Sequence, residues 1–218
     1  MRQNVIGLGV GGHAKVVIEA LRLCGDTDIV GLLDRDPSRW GTKVSGIPIL
    51  GGDDLLPSLR AQGIDAVFIG LGGAGDLRPR HHLYALARSV GFDVVSAVHP
   101  SAVVSRESAI GAGVTVLAGA IINAGAQLGE NVIVNTGAIV EHDCLIADHV
   151  HIATGAALAG TVTVGEESHI GLGASVREGR TIGCHVIVGA GAVVVDDVPD
   201  GVVVYGVPAR VMSERLRA

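Results

Sequence analysis

Two stretches of this 218-residue chain carry side chains that could do chemistry. The first, VEHDCLIADHVH at residues 140–151, sets three histidines and three carboxylates into surroundings of Gly, Ala, Val, Ile and Thr. Only His142 has a carboxylate on each side, Glu141 and Asp143. Such neighbours orient an imidazole and stabilise its protonated form, which suits the ring to accept a proton. The second stretch, Gly7-Leu8-Gly9-Val10-Gly11-Gly12-His13, fits GxGxxG and is followed by Asp34. Glycines in this pattern let backbone N–H groups at a helix N-terminus approach a phosphate, and the acid can bond a ribose or base. Without a ligand the same stretch is simply a Gly-rich turn.

The elements that must position these residues differ between the two halves. Residues 1–97 alternate short strands and helices. Strands are expected at 4–8, 28–33, 66–71 and 93–98 and helices at 13–23, 53–61 and 77–90, which implies a small parallel α/β sheet of Rossmann-like type. Fewer than about 100 residues leave room for half of a two-part dinucleotide fold, so a mononucleotide or nucleotide-sugar fits better than NAD. From Val98 to Val194 an aliphatic residue recurs at every sixth position, 17 times without a slip. Four residues after each, the occupant is usually small or Val, as at Ala120, Ala126, Val132, Ala138 and Val150. A period of six is not that of an amphipathic helix; it suits short strands wound into a narrow triangular solenoid, the hexapeptide β-helix. Three hexads make a coil, so residues 18 apart should stack. Gly119, Gly137, Gly155, Gly173 and Gly191 then share a turn that calls for positive φ. Residues 98–218 are read as this second domain.

Bulk properties agree. The chain is 48% hydrophobic but only 2% aromatic, with 33 Gly, so its core is built from small aliphatic side chains. A net charge of −6 and the lack of a basic run give no footprint for nucleic acid or an anionic membrane. Cys24, Cys144 and Cys184 form no CxxC pair, and neither a signal peptide nor a long apolar span is legible, so the expected setting is cytoplasmic. Cys144 falls at an inward position and reads as core, not nucleophile. His151 and His169, 18 apart, should stack, whereas His149 and His185 are expected to face solvent.

GVGGHAKVV at 9–17, HPSA at 99–102, the hexads, VEHDC at 140–144 and GVPAR at 206–210 together resemble the bacterial nucleotide-sugar acetyltransferases. These act on UDP-linked bacillosamine precursors or GDP-perosamine, and sialic acid O-acetyltransferases are related to them. The resemblance implies a left-handed β-helix, acetyl-CoA as co-substrate, no metal, and a homotrimer. Gly11, Gly12, His13, Asp34 and Gly70 would hold the nucleotide-sugar. His142 would be the general base with Asp143 behind it. His151, Gly160, Leu172 and Ala190 would line an acetyl-CoA cleft between subunits. The loop Gly70-Leu71-Gly72-Gly73 departs from the family, which often carries Asp or Asn and then Asn after the first glycine. On this reading acetyl passes directly to the amino group of a nucleotide-linked 4-amino-deoxy sugar. Two alternatives keep the fold: O-acetylation of sialic acid or a related sugar, and a non-catalytic sugar-nucleotide scaffold. A zinc enzyme of the β-helical carbonic anhydrase class is disfavoured, because that class has HxxxxH and no two histidines here are five apart.

Overall fold

A computed structural model describes residues 2–214; the last four residues of the expected second domain lie outside the described residues. The N-terminal unit is a six-stranded sheet in the order β3-β4-β2-β1-β5-β6, made of β1 (Gln3–Leu8), β2 (Thr27–Leu33), β3 (Lys43–Val44), β4 (Ile47–Gly51), β5 (Ala66–Ile69) and β6 (Asp93–Val94). Helices α1 (Gly12–Cys24), α2 (Leu56–Ala61) and α3 (Arg78–Val90) cover it. The central strand β1 has Val5, Ile6 and Leu8 fully buried, as expected for a parallel strand packed on both faces. One apolar cluster lies under α1, with Ala14, Val17, Ile18 and Leu21; the other, with Leu56, Leu83, Tyr84 and Phe92, lies under α2 and α3. Helix α1 stops at Gly25, which takes φ 81° and donates its N–H to the Leu21 carbonyl.

Two features differ from the sequence reading. The edge hairpin β3–β4 turns at Ser45 and Gly46, both with positive φ, and its strands are too short for their alternation to stand out from a loop. The strand expected over 93–98 divides: Asp93–Val94 pairs with β5, while Ala97–Val98 pairs with Thr115–Val116 and is already the first rung of the second domain. An apolar run does not say which sheet it will join.

The second domain is the left-handed parallel β-helix. Two-residue strands recur on three faces: Ala97–Val98 to Ile187–Val188 on the first, Val103–Val104 to Val193–Val194 on the second, and Ala109–Ile110 to Thr181–Ile182 on the third. All rungs pair in parallel with an 18-residue register, as in Thr115↔Ile133 and Ile133↔His151. From Val114 onward the inward positions are buried as expected except at Arg180, with Cys144 among them at 0% exposure, while those of the first coil are only partly covered. The fully buried inward Ser168 is satisfied: its hydroxyl donates to the Gly183 carbonyl and accepts the Val186 N–H. The five predicted turn glycines adopt φ between 63° and 68°. The same fourth place of the hexad is held at positive φ by Asn131, Asp143, His149, Thr161, Glu167 and His185, where a side chain costs strain that glycine would avoid.

The N-terminal unit sits on the first face, which buries the outward-pointing Thr115, Ile133 and His151. Arg80 of α3, 1% exposed, ties the units together by donating to the carbonyls of Ile69, Leu71, Gly113 and Asn131. Tyr84 donates to Glu130 across the same interface, and His81 bonds Glu167. His149, expected at solvent, is instead buried, with its ring stacked 3.9 Å from that of His81. Its turn is the one α3 covers, and a hexad position cannot report that. His185 is exposed as expected.

Candidate active site

His142 and Asp143 occupy the corner between the second and third faces. His142 Nδ1 lies 2.9 Å from Asp143 Oδ2, and the two side chains are 52% and 64% exposed. The positive φ of Asp143, 58°, turns its side chain back alongside the ring. Two glycines, each one coil away, make room for the pair. A Cβ at Gly160 would lie 2.5 Å from His142 Cε1 and closer still to Nε2, and a Cβ at Gly125 would collide with Asp143 Oδ1. Neither glycine has another neighbour as near, so both are cut to fit these side chains. Hydrogen bonding to Asp143 raises the His142 pKa above the ordinary imidazole value; the charges of Asp143, Glu141 and Glu178 add to this, against a desolvation that lowers it. Cys144, one residue further on, points into the core and donates its thiol to the Ala159 carbonyl, with burial raising its pKa. It has the environment of an inert structural thiol.

The glycine-rich stretch forms the second candidate locus. Gly11 is the N-cap of α1 with no side-chain cap, no acid follows in the first turn, and a Cβ at Gly11 or Gly12 would meet nothing within 4 Å. The helix N-terminus is thus open, as an anion site requires. Gly9 and Gly70 cross at close range: a Cβ at Gly70 would fall 2.6 Å from the Gly9 carbonyl oxygen, and the Gly70 N–H is taken by Leu8. Gly70 therefore acts through its lack of a side chain. Beside this crossing a cavity of about 130 Å³ opens between Gly9, Leu33, Asp34, Arg35, Asp53, Leu71, Pro79 and Leu83. Asp34 accepts the Asp36 N–H, and its carbonyl takes the indole N–H of Trp40.

His13 points from the start of α1 toward the domain interface, against Gly72, with Nε2 buried and without a hydrogen-bond partner among the described residues. Its pKa is pushed down to about 3 by burial, then by the Arg80 charge and by mutual repulsion with His151 were both rings to take a proton. His151 is likewise pushed down to about 3, by burial and then His169; its Nδ1 donates to the Gly73 carbonyl at 2.6 Å, and its other nitrogen meets the Asn135 amide at 3.1 Å. The expected stack with His169 is present, edge to face at 4.9 Å. Both His13 and His151 are therefore neutral at neutral pH.

Of the residues expected together around acetyl-CoA, the chain gathers only part. Gly160 lies under His142. Leu172 and Ala190 are exposed at a different corner, between the first and second faces, and His151 is beneath the N-terminal unit beside His13. Sequence reasoning missed Arg80, Gly125 and the Arg35–Asp53 pair. Gly125 was legible in principle, since it stands 18 residues before Asp143; the others become visible only once the two domains and neighbouring strands meet. Ligand atoms of His81, His149 and Glu166 come within 4.8 Å of one another at the third corner, a grouping no chain spacing could display. Among the described residues no helix is long and apolar enough to cross a membrane.

Comparison with known proteins follows the same division. The sequence pattern described as the PglD N-terminal domain matches residues 4–85. UDP-N-acetylbacillosamine N-acetyltransferase of Bacillus subtilis (strain 168) is 39% identical over 120 residues, which are 53% of this chain and 52% of that relative, so the match spans about half of its length. A histidine-to-asparagine mutant of perosamine N-acetyltransferase from Caulobacter crescentus, in complex with CoA and GDP-perosamine, superposes with a TM-score of 0.91 at 48% identity over 97% of each chain. The acetyltransferase domain of PglB from Neisseria gonorrhoeae FA1090, in complex with acetyl coenzyme A, gives 0.89 at 40% identity over 97% of this chain and 100% of that one.

Proposed function

Since this chain belongs to the family of nucleotide-sugar N-acetyltransferases, we propose that it moves the acetyl group of acetyl-CoA onto the amino group of a UDP- or GDP-linked 4-amino-deoxy sugar, with His142 as general base. The observation that carries this reading is the His142–Asp143 pair, exposed at a corner and fitted over Gly160 and Gly125. As the sugar nitrogen attacks the thioester carbon, neutral His142 accepts an amine proton at Nε2 while Nδ1–H donates to Asp143. The N–C bond forms, the C–S bond breaks, and the proton passes on to the departing thiolate. The neighbouring thiol of Cys144 is buried and so is not placed to carry the acetyl group, in keeping with direct transfer.

Gly11, Gly12, His13 and Asp34 hold the nucleotide-sugar in this proposal, and Gly70 shapes the crevice. His151 belongs with His13 on that side. Gly160, Leu172 and Ala190 serve acetyl-CoA, and because they occupy two corners of one prism, a cleft containing all three is closed by a neighbouring subunit. Val103, Leu145 and Leu172 are 61%, 46% and 59% exposed on surfaces the N-terminal unit leaves bare, consistent with a homotrimer. Light scattering should therefore give three times the chain mass, and a monomer at working concentration would refute the shared cleft.

The reading is tested by incubating the protein with acetyl-CoA and a panel of UDP- and GDP-linked amino sugars and following the products by mass spectrometry. An N-acetylated nucleotide-sugar is expected. Acetylation of sialic acid hydroxyls alone, or no release of CoA thiol, would replace it with one of the two alternatives. A second measurement concerns pH. A base works only when neutral, so kcat/KM should rise with pH through the raised pKa of His142, with its midpoint above the ordinary imidazole value. Asp143→Asn removes the hydrogen bond and charge that raise it. The acidic limb should shift to lower pH and the plateau should fall, by less than removal of the histidine; an unmoved limb would separate Asp143 from the base.

A further inference from the structure

We infer that the nucleotide taken by this chain carries guanine, read by the paired side chains of Arg35 and Asp53. The inference rests on the proposed nucleotide-sugar reading and settles which base it uses, where the relatives named above use either uracil or guanine. Arg35 follows the C-terminal end of β2, and Asp53 follows β4, the neighbouring strand. Both line the cavity of about 130 Å³ whose walls include Leu33, Leu71 and Leu83, flat apolar surfaces suited to a ring. In open parallel α/β sheets a nucleotide lies across the C-terminal strand ends, so with its phosphates at the open N-terminus of α1 its base extends toward β2 and β4.

The polar groups there have a definite order. Asp53, with its side chain 15% exposed, takes Nε of Arg35 on Oδ2 at 3.0 Å. Its Oδ1 makes no hydrogen bond among the described residues, and the remaining guanidinium N–H groups of Arg35, 65% exposed, are likewise available. The pair thus presents a donor beside two acceptor oxygens. Guanine offers the complement along one edge: O6 accepts, and N1–H and the N2 amine donate. Uracil offers acceptor, donor, acceptor, which would set a carbonyl oxygen against a carboxylate. A largely buried carboxylate such as that of Asp53 discriminates against a partner that leaves it unmatched or sets an acceptor against it. Asp34, one residue before Arg35, is left to the ribose hydroxyls common to both nucleotides.

Calorimetric titration of the full-length protein with GDP and with UDP tests the assignment. Wild type should bind GDP at least about tenfold more tightly than UDP. Asp53→Asn exchanges an acceptor for a donor and should erase that preference by weakening GDP, leaving UDP unchanged or improved. Arg35→Gln, at an exposed position, should weaken GDP by removing the donor to O6 and gives a second reading if Asp53→Asn unfolds. Equal or tighter binding of UDP by wild type, or an intact GDP preference in both variants, would overturn the guanine assignment and leave nucleotide-sugar acetylation standing. Failure of either nucleotide to bind at millimolar concentration would remove the proposed function and this inference with it.

Discussion

His142→Ala is expected to lower the rate of acetyl transfer by about 10² to 10⁴, the usual effect of losing a general base. Both substrates should still bind and the β-helix should be unaffected, because the His142 side chain is 52% exposed and lies outside the core. Single-turnover rates alongside the affinities of acetyl-CoA and nucleotide-sugar check this: kcat should collapse while both dissociation constants stay within a few-fold. Near wild-type turnover across the pH range would move proton removal elsewhere. His151 is poorly placed to inherit it, being buried, bonded to Gly73 and held neutral to about pH 3.

Gly160→Ala should have the second largest effect, through position alone. Gly160 does not need positive φ, so alanine is allowed by its backbone, and the nearest atoms to an added methyl all belong to the His142 ring. The ring must swing aside, and a displacement of about 1 Å in a reacting group can cost about 10² in rate. The thermal midpoint should barely move, since the displaced group is the far end of an exposed side chain. A variant with full turnover would mean that the ring works in another pose. The reciprocal change Gly125→Ala combines a clash with Asp143 and a residue at φ 74°, so loss of stability would accompany loss of activity there.

The β-helix was legible because its causes are local and repeated. An inward aliphatic residue every six positions, a small residue four later and a turn glycine at fixed phase specify rung, register and corner together, and the structure places Val116 to Val194 accordingly. The inert placement of Cys144 and the His151–His169 stack followed from the same arithmetic. Likewise, His142 stood out because carboxylates flank it within a motif otherwise free of charge. The division of 93–98 and the β3–β4 hairpin were not legible, since a two-residue strand takes its identity from its partner.

Sequence by itself therefore determined the architecture of each half, the phase of every coil and the corner that carries His142, because these depend on contacts that recur at fixed chain separation. Only the tertiary structure decided what depends on contacts between unlike parts. Docking of the N-terminal unit on one face turned His149 from a surface residue into a buried one and set His151 beside His13. It also placed the unannounced Arg80 among four carbonyls, while pairing of β2 with β4 inside the N-terminal sheet brought Arg35 to Asp53. Burial of a polar side chain is a property of what covers it, and the covering element lies far away along the chain, where no local period can record it.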